Sequence, residues 1–110
     1  MMNNRDNLIS IIVPCYNEEH AIPYFYKAIT EHSTLMKNEF GVDFEYLFIN
    51  DGSVDNTLTV LKEYANKDNR VKYISFSRNF GKESAMYAGL KNAFGNYRIL
   101  RICLRRCTKP

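Results

Sequence analysis

The sequence predicts an α/β protein, a parallel sheet held between layers of helix. Three observations carry that expectation. Apolar runs of strand length alternate with stretches whose apolar residues recur at helical spacing. Three such strand-then-helix units follow one another, and the polar turn segments fall just after the strands. Right-handed crossovers would then set consecutive strands parallel in one sheet.

The first unit opens with LISIIVP, Leu8 to Pro14, a nearly continuous apolar run suited to a strand buried on both faces. Pro23 fits the first turn of a helix, where its missing N–H costs nothing. Ile22, Phe25, Ile29, His32 and Met36 then form one core-facing stripe, with His32 expected to be packed or at its rim. Gly41 marks the exit.

The second unit begins with FEYLFIN, Phe44 to Asn50, and breaks at DGS. Ser53 or Asp55 is expected to cap a helix whose inner face is Leu58, Leu61, Tyr64 and Ala65. In the third unit, RVKYISFS sets Val71, Tyr73 and Ser75 against Lys72, Ile74 and Phe76. FGKESAMYAGLKNAFG reads as a helix ending at Gly95, a natural residue just past a helix C-terminus. Ala85, Ala88 and Gly89 are small enough to let that helix lie close on a sheet.

At 110 residues the chain is one domain at most, and 45% hydrophobic with 14% aromatic residues is ample for a packed core. No apolar run approaches a membrane span, and MMNNRDN is too polar to open a signal peptide, so a cytoplasmic start is expected. Cys15, Cys103 and Cys107 are odd in number without metal spacing, and read as unpaired thiols in a reducing compartment. The net charge of +3 comes from Arg98, Arg101, Arg105, Arg106 and Lys109; without those five the rest carries −2. A nucleic-acid footprint would spread over a folded face, so no nucleic-acid partner is expected.

Ligands of parallel α/β sheets bind beyond the carboxyl ends of the strands. The segments expected there are CYNEE, NDGS and SRNFGK. No glycine cradle for phosphate follows the first strand. Tyr16 instead offers a flat ring for a base, Glu18 and Asp51 offer acceptors for base N–H or ribose hydroxyls, and Arg78 and Lys82 offer positive charge for a diphosphate. Each piece also has a plain reading. Asn17, Glu18 and Glu19 suit a helix start, DGS is common turn chemistry, and SRNFGK could be a solvated loop. Their order along one sheet edge favours the functional reading.

ISIIVPCYNEEHAIP, FEYLFINDGSVDNTL and ISFSRNFGKESAMYAGLKNAFGNY resemble the opening half of family 2 glycosyltransferases, nearest the dolichol- or undecaprenyl-phosphate sugar transferases, over about residues 8 to 97. The resemblance implies the Rossmann-like nucleotide-binding half of a GT-A fold, truncated after about three βα units. It also implies a UDP- or GDP-sugar donor, a lipid-phosphate acceptor and, in the complete enzyme, Mg²⁺ or Mn²⁺. Complete relatives are often attached to the cytoplasmic face of the membrane. Carried over by position, Pro14, Tyr16 and Glu18 would border base and ribose, and Ile49 and Asp51 would hold the base. Asn17 and Ser53 belong with the same nucleotide-binding set. Arg78, Asn79, Gly81 and Lys82 match the third motif. Asn50 stands where many relatives carry a first aspartate.

Relatives run on into a strand ending in an Asp-x-Asp motif, whose carboxylates hold a cation against the charge of the departing diphosphate. Here residues 98–110 read RILRICLRRCTKP, without a carboxylate, so the metal site is expected to be absent and the domain boundary to fall at 97/98. With permitted codons, CLRRCTKP in a neighbouring frame can give VCDDVQNP, which suggests a frame slip. A rival reading of the tail is a basic amphipathic helix through Ile99, Leu100, Cys103, Leu104 and Cys107. A non-catalytic nucleotide-binding module is the alternative to a transferase, and a receiver-like domain lacks its acidic pair. A sheet stopped this early would leave an apolar edge open to self-association.

Overall fold

The computed structural model describes residues 7–100. The chain runs β1 (Leu8–Cys15), α1 (Ile22–Phe40), β2 (Asp43–Asn50), α2 (Thr57–Lys67), β3 (Val71–Ser75), α3 (Lys82–Asn92) and β4 (Tyr97–Leu100). The strands pair in parallel in the order β3-β2-β1-β4. The expected three βα units are therefore present, with a fourth strand already begun. The division expected at 97/98 falls inside β4, and Ile99 and Leu100 are strand rather than helix. The rest of the tail, with Cys103 and Cys107, lies outside the described residues.

Alternation along the strands builds two cores. Ile11, Val13 and Cys15 of β1 and Tyr46 and Phe48 of β2 face α1 and α2, where Ile22, Phe25 and Leu61 cover them. Ile12 of β1 and Leu47 and Ile49 of β2 face the other way, against Ala85 of α3. The small residues of α3 are needed there. A Cβ on Gly89 would stand 2.2 Å from Cγ2 of Ile12.

α1 leaves through Gly41 in the left-handed region, as expected (φ 70°). Its stripe is buried only at the start. Ile22 and Phe25 are covered, whereas His32 and Met36 are exposed. These two line an open apolar groove of about 440 Å³ with Ile9, Ile11, Phe44 and Ile99. The four residues of β4 and the three helices leave that strip of sheet uncovered among the described residues.

Two helix-end expectations need correction. α3 stops at Asn92, and Ala93 is extended, so Gly95 is not a helix-terminating residue. Gly95 is glycine because its backbone lies on β1. An added Cβ would sit 2.6 Å from Ser10 Oγ and 2.7 Å from the Leu8 carbonyl. At α2 the capping position is Asn56, without a side-chain cap bond; Asp55 just before it accepts the Thr57 N–H at 3.0 Å, while the Ser53 hydroxyl serves the first loop.

At the opposite end of the sheet from the loops named above, a polar clamp ties α1 and α2 to β3. The Tyr26 hydroxyl donates to Asp68 at 2.6 Å, and Arg70 donates to both Asp68 oxygens at 3.0 and 2.8 Å. Hydrogen bonding by Arg70 lowers the Asp68 carboxyl to about 2, with burial opposing and Tyr26 assisting. A depressed folded value means stability that is present above the unfolded value, about 3.9, and lost as pH falls toward about 2. Because Arg70 is partly exposed, the contribution is about 1–2 kcal/mol. Urea titrations should find Asp68→Asn less stable than the parent by that amount near neutrality, the gap closing by a pH of about 2. A gap independent of pH would contradict the clamp.

Candidate functional site

Register places the ends of the three long-loop strands side by side. Cys15 pairs with Asn50, and Asn50 with Ser75. Tyr16, Asp51 and Phe76 therefore leave the sheet together, and the Asp51 N–H still reaches the Cys15 carbonyl at 2.8 Å. The three polar segments form one rim.

The first and second loops are laced by backbone donors and short side-chain acceptors. Asn17 adopts a left-handed conformation (φ 54°), which its short polar side chain tolerates. Its N–H donates to Ser53 Oγ at 2.9 Å, and its own Oδ1 accepts the Val54 N–H at 2.9 Å. The Glu18 N–H donates to Thr57 Oγ1 at 2.9 Å, and the Glu19 N–H to Asp55 at 3.3 Å. Burial pushes the Asp55 carboxyl up, but the Thr57 hydroxyl and backbone donors outweigh it and leave it below the usual carboxylate range. Thr57, fully buried, had no place in the sequence reading. Its signal was the Asp-x-Thr spacing after DGS.

The second and third loops are joined more tightly. Asp51 Oδ1 accepts the Phe80 N–H at 2.8 Å, and Oδ2 accepts the Gly81 N–H at 3.0 Å and Asn79 Nδ2 at 3.3 Å. Asn50 donates to Ser75 Oγ at 3.1 Å and accepts the Ser53 N–H at 3.2 Å. Gly52 is left-handed (φ +67°), and a Cβ there would lie 2.1 Å from the carbonyl carbon of Arg78.

The side chains presented at this rim differ in exposure. Tyr16 is 46% exposed and Phe80 is 50% exposed, with the Arg78 guanidinium 4.9 Å from the centre of the Phe80 ring. Lys82 opens α3, and Gly81 before it has a positive φ of 103°, a conformation that favours glycine. Among the described residues the Tyr16 ring and the Lys82 ammonium hydrogen-bond to no protein group. Pro14 and Ile49 are a paired, buried layer beneath the rim, and Ile49 is wholly covered on the α3 side. Phe80 was not singled out by sequence reasoning; an aromatic in SRNFGK was its only mark.

Cys15, under Tyr16, is a buried free thiol. Burial first, then the negative charges of Glu18 and Asp55, push its pKa far above the ordinary thiol range, so it packs and does not react. Among the described residues no three His, Cys, Asp or Glu side chains lie together in a way that could hold a metal ion. Asp51, Asp55 and Glu19 accept backbone N–H groups instead. No described helix is long and apolar enough to cross a membrane.

The chain is 48% identical over 88 residues to the bactoprenol glucosyl transferase of Shigella phage SfV, spanning 80% of this chain and 27% of that protein. Crystallised S. aureus TarS 1-349 in complex with UDP superposes with a TM-score of 0.70 at 29% identity, over 86% of this chain and 26% of that one. A mannosyltransferase from Pyrobaculum calidifontis, solved with GDP-Man and Mn²⁺, shares the fold with a TM-score of 0.63 at 22% identity, over 81% of this chain and 25% of that one. The family model for glycosyl transferase family 2 matches residues 10–100, most of a chain that spans about a quarter of the relative's length. The parallel sheet, its rim of three loops and that match together make the chain a member of glycosyl transferase family 2.

Proposed function

We propose that the rim binds the nucleoside diphosphate part of a UDP- or GDP-linked sugar, as the donor end of a transferase acting on a lipid-phosphate acceptor. The observation that carries this reading is the mutual bracing of the loops, Asn17 on Ser53 and Asp51 on Phe80 and Gly81. It supports a reading in which Tyr16, Glu18, Arg78 and Lys82, on loops at one edge of the sheet, meet a single ligand. Tyr16 stacks on the base, Glu18 faces the ribose, and Arg78 and Lys82 meet the diphosphate. The sugar would leave by attack of the acceptor phosphate oxygen at the anomeric carbon, reached from the cytoplasmic face of a membrane. Among the described residues no group of three or more His, Cys, Asp or Glu side chains is assembled for an ion that would serve the departing diphosphate.

That same lack of a carboxylate cluster favours a second reading, a module that binds nucleotide without turnover. Calorimetry with UDP, GDP and their sugars, with and without Mn²⁺, separates the two. Metal-dependent binding with sugar release supports transfer; millimolar binding indifferent to metal supports the module. Silence with every nucleotide would end both.

A further inference from the structure

We infer that Asp55 and Thr57 are positioning residues for the ribose contact, acting by holding the backbone of Glu18. This rests on the nucleotide-binding reading above and adds what aims the sugar-facing carboxylate within it. Glu18 is gripped by its main chain from two sides. Its N–H donates to Thr57 Oγ1 at 2.9 Å. Its carbonyl accepts the Ala21 and Ile22 N–H groups at 3.0 and 3.1 Å, where α1 starts without a side-chain cap. The Glu19 N–H, next along, goes to Asp55 Oδ2 at 3.3 Å. Thr57 opens α2 and is fully buried. Its hydroxyl donates its single proton to Asp55 Oδ1, which also takes the Thr57 N–H at 3.0 Å. An ionised carboxylate only accepts, so the hydroxyl turns its proton to Asp55 and keeps a lone pair for the Glu18 N–H. Burial raises the Asp55 carboxyl, but the Thr57 hydroxyl and the backbone donors leave it below the usual carboxylate range, so it is ionised near neutrality. The relay therefore runs one way, from Asp55 through Thr57 to Glu18, and the second loop sets where the first loop presents its acid.

Nitrogen-15 NMR titration of the full chain with UDP, 2′-deoxy-UDP and 3′-deoxy-UDP tests this. The parent should prefer UDP about tenfold over at least one deoxy analogue, as expected when a hydroxyl that meets a carboxylate is removed. Thr57→Val keeps the shape but cannot accept the Glu18 N–H. It should bring that preference to within about threefold, through weaker UDP binding with the deoxy affinity unchanged. Thr57→Ser should restore it, and Asp55→Asn, which frees the hydroxyl to turn, should fall between. Hydrogen exchange at the Glu18 amide should quicken in Thr57→Val while β1 amides hold, which marks a local change in a folded chain. Equal losses of UDP and both analogues, with the preference kept, would leave Thr57 an ordinary packing residue and overturn the inference alone. A parent that binds UDP without preferring it would do the same. Should Thr57→Val not fold, Asp55→Asn decides, and a preference equal to the parent's overturns the inference. If the parent binds none of the three, the inference falls together with the nucleotide-binding reading.

Discussion

Glu45→Ala is expected to lower the stability of the folded chain by about 2–4 kcal/mol, a large share of the 5–15 kcal/mol typical of a domain. Glu45 lies on β2, 3% exposed, on the face that carries α3. It accepts the Ser10 hydroxyl, the Phe94 N–H at 2.7 Å and the Lys72 ammonium at 3.3 Å. Ser10 in turn accepts the Gly95 N–H at 2.8 Å. One carboxylate thus ties three strands to the turn that delivers β4. Alanine would strip the acceptor from a partly buried N–H and a buried hydroxyl and leave a space, whereas glutamine keeps the shape and one acceptor and should cost about half as much. Burial raises the Glu45 carboxyl and the Ser10, Phe94 and Lys72 donors more than offset it, so its pKa is lowered. The stabilisation is therefore complete above the unfolded value and declines as acid drives the pH through the lower, folded one. Urea unfolding of the alanine and glutamine variants checks both magnitudes. Equal stability of Glu45→Ala and parent would remove the carboxylate from this role.

Gly52→Ala should be nearly as damaging, and Gly41→Ala supplies its control. Both glycines are left-handed, with φ near +70°, so each substitution carries the strain of an L-residue there, roughly 1–2 kcal/mol. Around Gly41 there is open space, and the cost should end at that. At Gly52 the new methyl carbon would lie 2.1 Å from Arg78 C and 2.3 Å from Asn79 N. Those are backbone atoms and cannot rotate aside, so the second and third loops must part. A total of about 2–4 kcal/mol is expected, with UDP binding weakened as well. Thermal unfolding of the pair reads the difference directly, and identical losses at the two positions would show that the loops are not packed as described.

Much of this fold was legible in the residues because several signals agreed. The unbroken apolar run of β1, the exit glycine of α1 and the small residues of α3 each report a local need that only one arrangement meets. Gly95 misled because glycine marks both a left-handed residue and a close approach, and sequence does not separate the two. Here it is the contact with Ser10 and Leu8 that matters. His32 and Met36 kept helical spacing with Phe25, yet among the described residues they line an open groove with Ile9, Phe44 and Ile99. Of the rim, the order of the three motifs was readable. The partners of Asp51 were not, because backbone N–H groups carry no residue label. Pro14 and Ile49, expected beside the nucleotide, pair with each other and are buried at the ends of their strands, which the sequence could not show.

The lacing of the first two loops has a consequence for how such a protein changes. Asn17, Ser53, Asp55 and Thr57 supply the scaffold bonds, whereas Tyr16 and Lys82 supply none among the described residues. Outward-facing groups with no scaffolding duty can be exchanged while the scaffold stands. Positions of that kind can take a different aromatic or cation without breaking the bonds that hold the two loops together.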